Sequence, residues 1–137
     1  MRQNCGDSVC NNLVTRNGEL IIERYKHIPS GGNWKNIPHH LLLNYKNPQN
    51  CHGWIYYRLK WDEPSVVISN FRKNMLIHPE QHRGLSVREA ARLQSFPDNY
   101  EFYGRLDFQQ QLVANAVPPF LDEQIGKNII NYQRVFL

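Results

Sequence analysis

The sequence predicts an α+β chain: a small, irregular, strand-rich module followed by two or three short helices. Three observations carry this expectation. Ile55, Tyr57, Leu59 and Trp61 alternate with Tyr56, Arg58 and Lys60, the period of a half-buried strand. Ser86 stands three residues before Glu89, the signature of a capping box at a helix start. Leu121, Ile125 and Ile129, with Phe120 and Ile130 beside them, form an apolar stripe at helical spacing.

Taken in order, Met1 to Thr15 is polar and expected to be loosely ordered at its start. Asn17-Gly18 is a turn signal between Leu13-Val14 and Leu20-Ile21-Ile22, which suits either a short hairpin or a helix over 19–27. Pro29 and Gly31-Gly32 open a loop that continues to Pro38. His39 to Leu43 suits one helical turn, and 44–53 is a loop rich in Asn. The alternating run 55–61 is the clearest strand, with one apolar face and one basic face. Glu63-Pro64 breaks it, Ser65 to Ser69 forms a second strand paired to it as a hairpin, and Met75 to Ile77 a third, with a basic turn over 70–74.

A helix begins at Val87 and runs to about Gln94, packing through Val87, Ala90, Ala91 and Leu93. Phe96-Pro97-Asp98 stops it, because Pro97 holds Phe96 extended. Arg88 and Arg92 are four apart and share a face. On spacing alone, a solvated face with one ion pair outranks phosphate contact. Tyr100, Phe102 and Tyr103 form an aromatic patch, expected to be core rather than a stacking platform. Asp107 suits the cap of a helix over 108–113, and Pro119 the first turn of a last helix over 120–130. The chain then divides into an N-terminal segment 1–24 of uncertain order, a module 25–82 and a helical segment 83–137.

At 137 residues the chain has room for one domain, and its formal charge of +4 with pI near 9.1 favours an acidic partner such as DNA without requiring one. The basic residues are spread, not gathered in a tail. Cys5, Cys10 and Cys51 lack paired spacing, so three reduced thiols in a cytoplasmic protein are expected. His39-His40 and Cys51-His52 are adjacent pairs that do not converge on one metal, and no metal site is expected. Met1 to Cys10 is too polar for a secretory signal, and no apolar run reaches membrane-spanning length.

Two dense motifs carry a resemblance. The run Leu85-Ser86-Val87-Arg88-Glu89-Ala90-Ala91-Arg92-Leu93-Gln94-Ser95-Phe96-Pro97-Asp98 resembles the ninth conserved block of the cytosine-5 DNA methyltransferases. Val113-Ala114-Asn115-Ala116-Val117-Pro118-Pro119 resembles their tenth and last block, in the right order and at the right spacing. Upstream, Tyr57 to Ser65 and Ile77-His78-Pro79 resemble the segment leading into the ninth block. Ile28-Pro29-Ser30-Gly31-Gly32-Asn33-Trp34 resembles a loop of the target-recognition region. The resemblance spans roughly Tyr25 to Tyr132, the C-terminal part of that family.

The resemblance implies a Rossmann-like cofactor domain in the whole enzyme, with covalent addition of a thiolate to a flipped-out cytosine. That chemistry requires a Gly-rich cofactor loop, a Pro-Cys-Gln nucleophile and a Glu-Asn-Val block. This sequence contains none of the three, and its one glycine pair precedes Asn33-Trp34. No complete cofactor domain is expected, and no catalytic residue is assigned.

By resemblance, Asn115, Ala116 and Val117 are one edge of a site for S-adenosylmethionine, formed only with a large subunit and not by the isolated chain. Ala114 stands where the family more often has glycine, a strained choice if that position needs a positive φ. Arg88, Glu89, Arg92, Gln94, Pro97 and Asp98 read as scaffold. Gly32, Asn33, Lys35, Arg58, Lys60, Arg72 and Lys73 are the candidates for double-stranded DNA, lysine and arginine on phosphates and asparagine on base edges. Val67 takes a position where the family commonly has threonine.

The leading functional expectation is the recognition subunit of a split cytosine-5 methyltransferase. Beside it stand a non-catalytic DNA-binding module and an inactive truncated remnant, each compatible with a homodimer that covers the last helix.

Overall fold

A computed structural model describes residues 9–45, 53–69, 71 and 75–136. Among them the regular elements are helices: α1 (Glu19–Lys26), α2 (Val87–Leu93), α3 (Leu106–Asn115) and α4 (Pro119–Phe136), with single 3-10 turns at Trp34–Asn36 and His39–Leu41. No strand forms among the described residues. Extended segments meet only at isolated bridges, Arg58 with Ile77 in parallel and Ile77 with Gly84 antiparallel. The α+β, strand-rich expectation is therefore corrected to an essentially helical chain with long irregular connections.

The backbone explains why the alternation at 55–61 misled. Tyr56 sits at φ +55° and Met75 at φ +52°, left-handed conformations that interrupt an extended run. The faces are consequently not those of a strand: Tyr56 is 0% and Arg58 3% exposed, whereas Trp61 is 67% exposed. Segment 55–59 is held between two neighbours without a ladder. On one side Gly31 N donates to Arg58 O at 3.0 Å, Arg58 N to Gly32 O at 3.0 Å and Trp34 N to Ile55 O at 3.1 Å. On the other, Ile77 N donates to Tyr57 O at 2.8 Å and Leu59 N to Ile77 O at 3.1 Å. The second expected strand fails as well, since Ser69 N turns back on Val67 O. The hairpin reading at Asn17-Gly18 gives way to α1, with Gly18 as its N-cap.

Helix α2 forms as its capping box requires. Glu89 N donates to Ser86 Oγ at 3.1 Å, and Ser86 N to Glu89 Oε2 at 2.8 Å. Tertiary structure completes the cap: Val87 N and Arg88 N donate to the carbonyls of Leu13 and Asn11. Residues 11–13 thus satisfy amides that no intrahelical carbonyl reaches. The helix ends one step before the expected Phe96-Pro97 stop. Ser95 N donates to Arg92 O at 2.9 Å and Phe96 N to Ala91 O at 3.0 Å, with Ser95 at φ +62°. This is a Schellman motif with serine in the position glycine usually takes. Leu93, expected on the packing side, is 45% exposed.

Helix α3 starts earlier than expected and runs longer. Arg105 is its N-cap, and Asp107 lies within the first turn, where its carboxylate accepts from Phe108 N. Helix α4 also exceeds its expected span, and among its described residues no side chain is buried.

Two apolar cores result. Leu59, Ile68, Phe71, Leu76, Leu85, Val87, Ala90, Ala91, Phe102 and Val113 form the larger; Tyr25, Ile28, Ile37, Leu42, Tyr56 and Ile77 form the other. No described helix is long and apolar enough to cross a membrane. Cys10 is disulfide-bonded, against the expectation of three reduced thiols.

Arg58 lies where the loops converge, and its loss should be felt globally. Arg58→Met strips hydrogen bonds from buried carbonyls and should lower the unfolding free energy by at least about 2 kcal/mol. Arg92→Ala removes an exposed ion pair and should cost less than about 1 kcal/mol. Urea titrations followed by tryptophan fluorescence compare the two; equal, small losses would show that Arg58 is not a structural clip.

Candidate functional site

The Gly31-Gly32-Asn33 loop is built by close approach. Gly31 has φ +71°, and a Cβ there would lie 2.3 Å from Lys60 Cε. A Cβ on Gly32 would lie 2.7 Å from Pro29 Cδ and 2.8 Å from Asn36 Oδ1. Both glycines are therefore needed for the turn to lie against the Lys60 stem and close on itself. Asn33 then caps the following 3-10 turn: its Oδ1 accepts from Lys35 N at 3.0 Å, and its own N donates to Asn36 Oδ1 at 3.0 Å. Lys35 projects outward, exposed. Lys60 leans along Gly31, and its ammonium meets Glu63 Oε1 at 2.6 Å.

Arg58 belongs beneath this loop, not on its surface. Nε donates to Ile28 O at 2.7 Å, Nη2 to Tyr25 O at 2.7 Å, and Nη1 to His78 O at 2.7 Å and Gln81 O at 3.0 Å. Nη2 also lies 3.2 Å from His82 Nδ1. With its donors turned inward, the guanidinium sets the loop's position and does not present itself to a phosphate. Arg72 and Lys73 lie outside the described residues.

A second polar knot lies at the start of α2. Arg83 grips Glu89 with two nitrogens, at 2.7 and 2.8 Å. His78 Nδ1 accepts from the amides of Glu80 and Gln81, and its Nε2 lies 3.9 Å from Glu89 Oε1. Burial works against the Glu89 charge, but the Arg83 guanidinium and the Ser86 amide outweigh it and hold the carboxyl at about 2. Burial and the neighbouring Arg83 charge lower the His78 pKa.

The third knot joins α2 to the chain's beginning. Arg88 donates to the carbonyls of Cys10, Pro97 and Tyr100 and to Asn11 Oδ1. Asn11, itself at φ +62°, donates to Phe102 O and Gln109 Oε1 and accepts from Phe102 N. Arg92, one turn on, pairs with Asp98 through two bonds of 2.7 and 2.8 Å in the open. Gln94 is buried and donates to Val113 O at 2.6 Å, tying the end of α2 to α3.

At the end of α3, Asn115 is exposed and its Oδ1 accepts from Gln111 Nε2 at 2.7 Å. Val117 is exposed beside it, and Ala116 closes one side of an open groove of about 310 Å³ with Tyr100, Tyr103, Phe108 and Leu112. Ala114 lies inside α3 and is not among the positive-φ residues, so its Cβ meets no backbone penalty.

The sequence candidates thus fall into separate places. Gly32, Asn33, Lys35 and Lys60 are brought together; Arg58 lies below them; Asn115, Ala116 and Val117 form a different edge. Sequence reasoning missed Asn11, Arg24 and Tyr56. Arg24 is 1% exposed and donates to Leu41 O, Asn44 Oδ1 and Tyr56 Oη. No local pattern marks an arginine in an amphipathic helix as buried; its acceptors arrive from 17 to 32 residues away.

An irregular helical body whose loops are cross-braced by buried arginines, with no parallel sheet among the described residues, does not by itself have the form of a nucleotide-binding enzyme domain. Comparison with known proteins supplies the class. The family model for C-5 cytosine-specific DNA methylase matches residues 3–131. The chain belongs to that family. It is similar to the type II methyltransferase M.Sau96I of Staphylococcus aureus, at 34% identity over 130 residues, covering 90% of this chain and 30% of the relative. It is likewise similar to M.BbvI of Brevibacillus brevis, at 38% identity, covering 82% and 31%. Similarity to the DNA (cytosine-5)-methyltransferase 1 of Mus musculus reaches 43% identity over 88 residues, covering 61% of this chain and 5% of the relative. The chain spans about a third of the length of the bacterial relatives it matches.

The Glu89 knot carries a pH signature. Its folded pKa lies below the ordinary value of 4.5, so the stabilisation is present above about 4.5 and is lost as pH falls toward about 2. The loss should reach a few kcal/mol at most. Glu89→Gln should be less stable at neutral pH and should lose its additional acid sensitivity in that window. Urea midpoints at several acidic pH values read this directly; parallel pH profiles for both proteins would refute the assignment.

Proposed function

We propose that this chain is the DNA-recognition part of a cytosine-5 DNA methyltransferase, catalytically incomplete alone and completed by a large subunit. That subunit supplies the cofactor loop and the Pro-Cys-Gln nucleophile. One observation carries the reading: the family match runs through nearly the whole chain, yet accounts for only about a third of the bacterial relatives' length. The motifs 85–98 and 113–119 resemble the last two conserved blocks, and this resemblance supports reading the chain as the C-terminal part with the recognition region.

In this reading the Gly32-Asn33-Lys35 loop with Lys60 faces double-stranded DNA, Lys35 and Lys60 on phosphates and Asn33 toward base edges. Arg72 and Lys73 join the same duties. The exposed Lys35 supports this, and so does the packing of the Lys60 stem against Gly31, which keeps both lysines beside the one turn. Arg58 acts from below as the residue that holds the loop. Arg88, Glu89, Arg92, Gln94, Pro97 and Asp98 act as scaffold, in keeping with their internal bonds.

Asn115, Ala116 and Val117 form one edge of the S-adenosylmethionine site of the assembled enzyme. An exposed amide beside an exposed valine offers one hydrogen-bonding group and one apolar surface, which fits an edge and not a pocket. When bound, the cofactor supplies the methyl group; this chain's residues contribute only orientation.

The purified chain, incubated with S-adenosylmethionine and duplex DNA, should therefore transfer no methyl group and show no micromolar affinity for the cofactor in calorimetry, since about 8 kcal/mol is beyond one amide and its neighbours. It should bind duplex DNA in a salt-dependent manner. Lys35→Ala and Lys60→Ala should each reduce the slope of log K against log salt by about one. Methylated cytosine formed by this chain alone would overturn the reading, as would a salt slope that neither lysine changes.

A further inference from the structure

His78 is buried, and the backbone around it decides where its ring carries a proton. The chain turns back at once after Pro79, so that Nδ1 accepts from Glu80 N at 3.2 Å and from Gln81 N at 3.1 Å. A ring nitrogen that accepts from amides holds no proton, so the proton of the neutral ring is on Nε2. Nε2 lies 3.9 Å from Glu89 Oε1, and the Trp61 indole meets the ring edge-on at 5.6 Å. The turn so formed offers Arg58 three acceptors: His78 O at 2.7 Å, Gln81 O at 3.0 Å and His82 Nδ1 at 3.2 Å. The same guanidinium holds Tyr25 O and Ile28 O, on the approach to the glycine turn.

We propose that His78 is a proton-operated latch: with Nδ1 bare, the turn over 78–82 is closed on Arg58, and uptake of one proton at Nδ1 opens it. An imidazolium carries N–H on both nitrogens. A proton at Nδ1 uses its lone pair, takes the acceptor from two amides at once and sets an N–H against two others. Turning the ring over gives no escape, since a carbon would then face the same amides. The turn therefore opens, and Gln81 O is drawn away from Arg58 Nη1. Burial opposes the charged ring most, with Arg83 and Arg58 on the same side, while Glu89 and Glu80 favour it. Glu89 is already gripped by two nitrogens of Arg83, and the balance holds His78 below the ordinary value of 6.5. Above 6.5 neither the folded nor the unfolded chain is protonated there, and the latch adds no pH dependence. As pH falls below 6.5 the unfolded chain takes the proton first, and the folded state loses stability down to its own lower pKa. That window opens well above the Glu89 window, which begins near 4.5. The inference rests on the geometry of the turn and not on the DNA-recognition reading.

The test compares the full chain with His78→Asn. Asparagine places an amide oxygen near the position of Nδ1, accepts from the backbone two residues on in turns of this kind, and takes up no proton. Urea midpoints from about pH 7.5 to about pH 5 read the difference, and the remaining histidines are common to both proteins and cancel. Below 6.5 the folding constant of the wild type should fall, relative to the variant, by up to about tenfold per pH unit. Heteronuclear NMR of the wild type gives an independent reading. At neutral pH the His78 ring should carry its proton on Nε2, and the Glu80 and Gln81 amide resonances should move together with the titration of that ring. Should His78→Asn fail to fold, the NMR titration decides alone. A proton on Nδ1 at neutral pH overturns the proposal, as do Glu80 and Gln81 amides that stay still while His78 titrates. Parallel stability profiles for the wild type and a folded His78→Asn overturn it as well.

Discussion

Three buried guanidinium groups hold this molecule together. Arg24, Arg58 and Arg88 are 1 to 3% exposed, and among the described residues none of them is in an ion pair. Their acceptors are mostly backbone carbonyls: Leu41 for Arg24; Tyr25, Ile28, His78 and Gln81 for Arg58; Cys10, Pro97 and Tyr100 for Arg88. A sheet would satisfy such carbonyls by a repeating ladder. Here loops meet at single points, and a planar group with five donors closes several carbonyls at once. Burial works against the charge on Arg58 and Arg88, which is tolerable because charge-assisted bonds are about twice as strong as neutral ones.

The arrangement divides labour along the chain. Each clip joins segments far apart in sequence: Arg88 reaches Cys10 and Asn11, 78 and 77 residues away. The start of the described chain is therefore part of the body, because its carbonyls at Asn11 and Leu13 also complete the N-terminus of α2. Removing either side would strand buried polar groups on the other, so the segment 10–13 and α2 depend on one another. The outer ion pairs, Arg92 with Asp98 and Lys60 with Glu63, are solvated and add little to this frame.

The same frame explains where the molecule is open. Cross-braced loops leave the glycine turn at 31–32 half-buried and α4 exposed along its described length. The chain that carries both belongs to the C-5 cytosine-specific DNA methylase family. Lys35 is exposed beside the turn, and the last helix exposes Phe120, Leu121, Ile125, Ile129 and Ile130.

Local chemistry alone determined several features. The Ser86–Glu89 cap, the two motifs and the apolar stripe of α4 were all legible, because each depends on residues within one or two turns of each other. The capping box formed as expected, and the resemblance at 85–98 and 113–119 led to the right family. Strands were misread because alternation at 55–61 requires φ to stay negative, and Tyr56 and Met75 adopt left-handed conformations that nothing local announces. Arg58 was taken for a surface cation for the same reason: its face depends on the backbone turn before it. Its role was decided by carbonyls that arrive 20 to 33 residues away, from Tyr25, Ile28, His78 and Gln81. Whether an arginine seeks phosphate or carbonyl is set by burial, and burial is a property of the assembled chain alone.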